Sequence, residues 1–91
     1  MISSQVTIMN STGLHARPAS VFVASAKQFV SRITIRNASG DEYKPVNAKS
    51  IVLLLTLGLT QGTPAEITAE GEDEVAAMET LTKLIASGLG E

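Results

Sequence analysis

The chain has 91 residues, a formal net charge of −2 and 44% hydrophobic residues. This length fits one small domain with a single hydrophobic core, which we assign to residues 1–91. The sequence has no cysteine and one histidine, which excludes disulfides, thiol nucleophiles and metal sites built from several histidines. An acidic surface with 3% aromatic residues argues against nucleic-acid binding.

The N-terminal residues lack the charged and apolar segments of a secretion signal. The longest apolar run, residues 51–55, is far shorter than the roughly 18 residues that a membrane span needs. We therefore expect a soluble, cytoplasmic protein that does not contact a membrane.

The first part of the chain predicts a strand, a helix and a second strand. Alternating apolar side chains over residues 2–9 indicate a half-buried strand. Apolar residues at helical spacing indicate a helix over residues 16–30. Pro18 fits only in the first turn of that helix, which makes His15 its N-cap. Alternation over residues 32–37 then indicates the second strand.

The middle of the chain predicts a hairpin and a short apolar helix. A turn near residue 40 leads into a weak strand over residues 42–46, which Pro45 places at a sheet edge. Ser50 is suited to N-cap a helix over residues 51–57. Alternation over residues 63–70 then indicates a fourth strand.

An acidic turn introduces the last helix. Glu72, Asp73 and Glu74 are consecutive, so their side chains diverge around a helix. We therefore favour stabilisation of the helix start over paired catalytic carboxylates or a cation site. Gly88 and Gly90 are expected to end this helix.

These elements follow the order βαββαβα. One-sided alternation in the strands is typical of an antiparallel sheet with one covered face. We predict an α+β fold, an open-faced β-sandwich with a four-stranded antiparallel sheet and three helices on one face.

The start of the first helix combines a histidine, an arginine and a proline. The unpaired N–H groups of Ala16 and Arg17 can cradle an anion, and the helix field disfavours a positively charged imidazolium. Neutral His15 is then a nucleophile, and the Arg17 guanidinium can clamp phosphate oxygens. This pattern suits transient phosphorylation of a ring nitrogen. The alternative is that His15 is an ordinary surface residue and Arg17 a solvated charge.

Three motifs follow one another along the chain, namely Gly13-Leu14-His15-Ala16-Arg17-Pro18-Ala19, Asn47-Ala48-Lys49-Ser50-Ile51 and Ala69-Glu70-Gly71-Glu72-Asp73-Glu74. In this order they resemble the HPr family, the histidine-containing phosphocarriers of the bacterial phosphoenolpyruvate:sugar phosphotransferase system (PTS). The resemblance implies that His15 carries phosphate on Nδ1 and that Arg17 contacts it. Phospho-enzyme I would supply the phosphoryl group, and EIIA proteins or domains would receive it for sugar uptake. A carrier of this kind is not itself an enzyme, and we expect no cofactor and no metal ion.

Ser50 has two interpretations. It is suited to a plain capping role. The resemblance implies a second role, because an HPr kinase/phosphorylase phosphorylates the matching serine in many Gram-positive members. The added charge would weaken enzyme I docking and create a face for a transcriptional regulator, as in carbon catabolite regulation. The residue alone does not decide between them, since members without such a kinase also carry a serine here.

The short second helix is apolar on every side, although only about a 100° stripe of a surface helix faces a core. An exposed apolar patch on a small domain suggests protein docking. The residues expected in it are Ile51, Val52, Leu53 and Leu55. The alternative is a helix that is more buried than usual. The resemblance adds Ser20, near the start of the first helix, to the docking face.

The chain departs from the family pattern in two places. Leu53 and Leu55 are more apolar than in several relatives, and the loop over residues 37–47 is longer than in better-known members. We assign this loop no function. We expect a monomer that serves the sugar branch, with a regulatory or nitrogen-branch paralogue as the main alternative. A small ligand-binding or nucleic-acid-binding α/β module is the remaining one.

Overall fold

The computed structural model describes residues 1–89 and contains one four-stranded sheet and three helices. The strands are β1 (Ile2–Thr7), β2 (Arg32–Asn37), β3 (Val46–Asn47) and β4 (Pro64–Glu70). The helices are α1 (Ala16–Ala26), α2 (Ile51–Leu55) and α3 (Glu74–Ala86). The sheet order is β1-β4-β2-β3 and every neighbouring pair is antiparallel. The predicted βαββαβα order and antiparallel sheet are confirmed.

The central strand β4 shows why the sheet has one apolar face. Its Ala65, Ile67 and Ala69 are buried, and the residues between them are partly exposed. Ile35 on β2 lies opposite Ile67, so inward side chains meet in register. These residues join one buried cluster with Phe22 of α1 and with residues of α2 and α3. The alternation read from the sequence therefore marks the covered face correctly.

Helix α1 is shorter than the spacing predicts. It ends at Ala26, whereas the apolar pattern continues to Val30, a residue that is 77% exposed. The N–H groups of Val30 and Ser31 donate to the Asp73 carboxylate, at 2.9 and 3.0 Å. This contact, 42 to 43 residues away in sequence, satisfies the backbone there outside a helix.

The other element boundaries also shift. Strand β3 covers residues 46–47 rather than 42–46, because Pro45 has no N–H and residues 41–45 are exposed. Helix α2 ends at Leu55 instead of residue 57, and the Thr56 hydroxyl donates to the Leu53 carbonyl at 2.6 Å. Strand β1 ends at Thr7, two residues early, and β4 begins at Pro64, one residue late.

The acidic turn before α3 does not form one carboxylate cluster. Asp73 accepts hydrogen bonds from the Ser31 hydroxyl and the two N–H groups described above, and these bonds lower the pKa of its carboxyl. Glu74 accepts from the N-terminal ammonium of Met1 at 3.0 Å and from the Gly71 N–H at 3.2 Å, which lowers the pKa of its carboxyl too. Within residues 1–89, no group of three acidic or histidine side chains could hold a metal ion.

The end of α3 follows the expected pattern as far as the structure describes it. Gly88 adopts a φ of 88° just after the helix, a conformation that favours glycine. Gly90, also predicted to end this helix, lies outside the described residues. Each helix in the described part is too short or too polar to cross a membrane.

Candidate functional site

The loop before α1 is fixed by a close backbone approach at Gly13. Gly13 has a φ of +66°, and a Cβ placed there would lie 2.4 Å from the carbonyl oxygen of Leu59. The next residue, Leu14, is buried and donates its N–H to that same carbonyl at 2.9 Å. Only glycine fits this position, and the contact anchors the chain immediately before His15.

A buried asparagine closes the same loop from the other side. The Nδ2 of Asn10 donates to the Gly13 carbonyl at 2.6 Å and to the Thr12 hydroxyl at 3.2 Å. The sequence patterns described above did not single out Asn10. An asparagine three residues before a turn glycine is the signal that points to it, because asparagine side chains often bond to nearby backbone groups.

His15 occupies the N-cap position of α1, as predicted. Its backbone is extended, with φ −84° and ψ −172°, and its carbonyl accepts from the Ala19 N–H at 2.8 Å. The side chain is exposed and makes no capping hydrogen bond to the helix. The imidazole therefore stands at the helix start without occupying its N–H donors.

The first turn of α1 offers donors to an incoming anion. The Ala16 and Arg17 N–H groups precede the first intrahelical bond and have no hydrogen-bond acceptor among residues 1–89. Pro18, next along, has no N–H and its ring is buried, which fixes the turn in the core. The exposed donors and the exposed imidazole thus belong to neighbouring residues on one anchored turn.

Arg17 adds an exposed positive charge beside this turn. Its side chain is exposed and forms no ion pair in the described part of the chain. The structure thus brings His15, Ala16 and Arg17 together. Ser20 is exposed one turn further along α1 and makes no hydrogen bond through its side chain among residues 1–89.

Helix α2 begins differently. The Oγ of Ser50 accepts a hydrogen bond from the Leu53 N–H at 3.3 Å, so the serine caps its own helix. Of the five helical residues only Leu54 is buried. The exposed side chains form what we call the α2 patch, which consists of Ile51, Val52, Leu53 and Leu55. Helix α2 packs against α1, so this patch and the His15 turn sit on adjoining helices.

The chain matches a known protein family over nearly its whole length. The family described as "PTS HPr component phosphorylation site" matches residues 2–87. This chain belongs to the PTS HPr family. The HPr family predicted from the three motifs is therefore confirmed.

Similar HPr proteins include both stand-alone carriers and domains of larger proteins. The phosphocarrier protein HPr of Haemophilus influenzae is 49% identical over 85 residues, which cover 93% of this chain and 95% of that protein. The multiphosphoryl transfer proteins of H. influenzae and Salmonella typhimurium are 48% and 40% identical, over 93% and 100% of this chain. The chain spans only 17% and 24% of their respective lengths.

Solved HPr structures share the whole fold. HPr-C-His from Thermoanaerobacter tengcongensis is 44% identical with a TM-score of 0.91, covering 100% of this chain and 98% of that one. HPr from Bacillus anthracis is 36% identical with a TM-score of 0.84, covering 92% and 95%. The predicted HPr-like open-faced β-sandwich is confirmed.

Proposed function

We propose that His15 accepts a phosphoryl group on Nδ1 from phospho-enzyme I and passes it to EIIA proteins or domains. One observation carries this proposal: His15 is exposed at the start of α1 with its side chain unbound to the helix, beside the open N–H groups of Ala16 and Arg17. A phosphoryl group on the imidazole would meet donors that no side chain of the described protein already occupies.

The chemistry follows from these groups. The neutral imidazole attacks phosphorus, and a new N–P bond forms while the bond from phosphorus to the donor's leaving atom breaks. Negative charge on the transferred oxygens is stabilised by the Ala16 and Arg17 N–H groups and by the Arg17 guanidinium. The return step, to an EIIA acceptor, uses the same stabilisation in reverse.

The protein acts as a carrier rather than as an enzyme. It supplies one acceptor atom and a phosphate cradle, and the partner's active site supplies the remaining groups for loading and for unloading. Such a carrier must dissociate quickly, which suits a small docking surface and modest affinity. We assign docking of enzyme I and EIIA to the α2 patch together with Ser20, because exposed apolar patches on small domains mark protein contacts.

Ser50 is proposed as a regulatory phosphorylation site for an HPr kinase/phosphorylase. A phosphate on Oγ would add roughly two negative charges beside the α2 patch. That charge would weaken docking of enzyme I and offer a new face to a transcriptional regulator. Incubation with an HPr kinase and ATP tests this proposal: phosphate is expected on the wild type and not on Ser50→Ala, and equal labelling of both would refute it.

We further propose that residues 1–91 form a single HPr domain that works as a cytoplasmic monomer. The family match over residues 2–87 supports the single domain. A solved HPr structure from T. tengcongensis, 44% identical to this chain, is described as a dimer, so a dimer is the alternative to the monomer proposed here. Sedimentation equilibrium at micromolar concentration is expected to give the mass of one chain, and a dimer mass would contradict the proposal.

The phosphocarrier proposal is tested by incubating the chain with phosphoenolpyruvate and enzyme I and measuring intact mass. We expect a gain of one phosphoryl group that is lost on brief acid treatment, as a phosphoramidate should be. Addition of an EIIA protein should then discharge it. No mass gain with an enzyme I that phosphorylates a known HPr in parallel would overturn the proposal.

A further inference from the structure

We infer that Asn10 is a positioning residue for phosphoryl transfer at His15, an inference that rests on the proposed function. Asn10 does not lie in the first turn of α1, and the residue is only 6% exposed. Its carboxamide nevertheless reaches forward in the chain to Gly13, two residues before the histidine. That contact sets the direction in which the chain enters His15.

The orientation of the Asn10 carboxamide follows from its partner. The Gly13 carbonyl oxygen is only an acceptor, so the group 2.6 Å from it must be the Nδ2 donor. The backbone adds a second link between the same residues, because the Gly13 N–H donates to the Asn10 carbonyl at 3.1 Å. Residues 10 and 13 are therefore tied by one backbone bond and one side-chain bond.

These contacts lock one particular peptide group. The Gly13 carbonyl and the Leu14 N–H belong to the same planar peptide unit. Asn10 holds the carbonyl end, and the Leu59 carbonyl holds the N–H end at 2.9 Å. With both ends bound, the peptide plane cannot rotate, and the chain enters His15 along a fixed direction.

The position of the imidazole depends on that direction. His15 makes no side-chain bond to the helix that could fix it independently. Loss of the Asn10 donor frees the carbonyl end of the peptide group, and a small tilt there displaces the ring relative to the Ala16 and Arg17 N–H groups. Transfer between aligned atoms is sensitive to displacements of about 1 Å.

The variant Asn10→Asp tests the inference, because it keeps the shape of the side chain and replaces the donor with a second acceptor facing the Gly13 carbonyl. With enzyme I as the catalyst and this protein as its substrate, we expect kcat to fall about tenfold. KM should stay near that of the wild type, since the α2 patch is unaltered.

The chain provides a matched control in Asn37. This second asparagine is 3% exposed, and its Nδ2 also donates to a backbone carbonyl, that of Leu57, at 2.9 Å. Its Oδ1 accepts from the N–H and the hydroxyl of Ser39, contacts that aspartate retains. Asn37→Asp therefore removes an equivalent buried donor without touching the His15 loop, and its kcat should change by less than about twofold.

The amide NMR spectra of both variants are first checked for the native fold. If either aspartate variant does not fold, Asn10→Ala and Asn37→Ala are compared instead. A selective fall in kcat for the Asn10 variant supports the inference. Equal kcat for the two variants, a rise confined to KM, or global unfolding of both Asn10 variants overturns it. If the wild type itself gains no phosphoryl group on His15, the proposed function fails instead, so the two failures are distinguishable.

Discussion

Helices α1 and α2 begin in two different ways. At the start of α1 the exposed His15 leaves the first N–H groups open, whereas at the start of α2 the Ser50 hydroxyl accepts from the Leu53 N–H. An open helix start can receive an external anion, and a capped start satisfies its own donor and gains about 1 kcal/mol of stability. The open start of α1 thus suits binding of an anion, and the capped start of α2 stabilises its own helix.

Both starts are anchored by other parts of the chain. The His15 loop is held by the Leu59 carbonyl and by the Asn10 side chain. The chain before Ser50 is held by the Ile33 carbonyl, which accepts from the Ala48 N–H at 3.0 Å, and by the Phe29 carbonyl, which accepts from the Lys49 Nζ at 2.7 Å. The two starts therefore differ in the cap itself and not in whether they are anchored.

The largest effect is expected from His15→Ala, which removes the acceptor from the open start. Phosphoryl transfer from phospho-enzyme I should be abolished, while the fold persists because the side chain is exposed. Intact mass and circular dichroism check both parts. Gln28→Ala, an exposed change beyond the end of α1, should accept phosphate as the wild type does.

Gly13→Ala should strongly destabilise the anchored loop. A Cβ there would meet the Leu59 carbonyl and lie 2.9 Å from Thr60 Cα, so we expect a loss of about 3 kcal/mol in urea unfolding. Gly58→Ala is the control, because its φ of +64° is nearly the same but its surroundings are open. It should lose only about 1 kcal/mol, from backbone strain alone. Equal losses would contradict the close approach at Gly13.

Removal of the charge beside the open start should slow transfer. Arg17→Gln loses a charge-assisted contact to the transferred oxygens, of about 1.5 kcal/mol, so kcat/KM should fall about tenfold. The control is Arg36→Gln, which also removes an arginine charge. Arg36 pairs with Glu66 at 2.8 Å on the sheet, away from the His15 turn, so its loss should leave transfer unchanged. Unchanged kinetics for Arg17→Gln would remove the guanidinium from the mechanism.

Removal of the Ser50 cap should reduce the stability of the capped start of α2. Ser50→Ala loses the bond to the Leu53 N–H, and we expect about 1 kcal/mol less stability in urea unfolding. Ser20→Ala on α1 provides the comparison, because that serine is exposed and makes no side-chain bond in the described structure. A cost for Ser50→Ala no larger than that for Ser20→Ala would show that the cap contributes nothing.

The smallest effect is expected at the start of α3, where the contribution of Asp73 to stability depends on pH. Hydrogen bonds from the Ser31 hydroxyl and the Val30 N–H hold the pKa of Asp73 below its ordinary value. A lowered pKa in the folded state means that this stabilisation is present above the unfolded pKa and is lost as pH falls through the folded value. The loss should therefore develop below about pH 4.

Asp73→Asn should reduce this acid sensitivity. The urea midpoints of wild type and variant should differ most near neutral pH and converge on acidification. Glu79→Gln is the control, since the Glu79 carboxylate makes no hydrogen bond within residues 1–89 and should give a curve parallel to that of the wild type. A constant gap between wild type and Asp73→Asn at all pH values would contradict this account.

Local sequence patterns predicted the elements and the placement of His15 well, because both depend on neighbouring residues. Proline within the first turn and alternation in the strands are short-range signals. The end of α1 could not be predicted from local patterns. Val30 fits the apolar spacing, but its N–H donates to the carboxylate of Asp73, 43 residues away, and not to a helical carbonyl. Asn10 was missed although its bond to the Gly13 carbonyl spans only three residues, so in this case the sequence did carry a local signal.

The most direct test of the open and capped starts is the amide NMR spectrum of the wild type before and after phosphorylation by enzyme I. We expect phosphorus coupled to Nδ1 of His15, large shifts of the Ala16 and Arg17 amide signals, and an unchanged Leu53 amide signal at the capped start. Phosphate on another atom, or Ala16 and Arg17 amides that do not respond while His15 is phosphorylated, would contradict it.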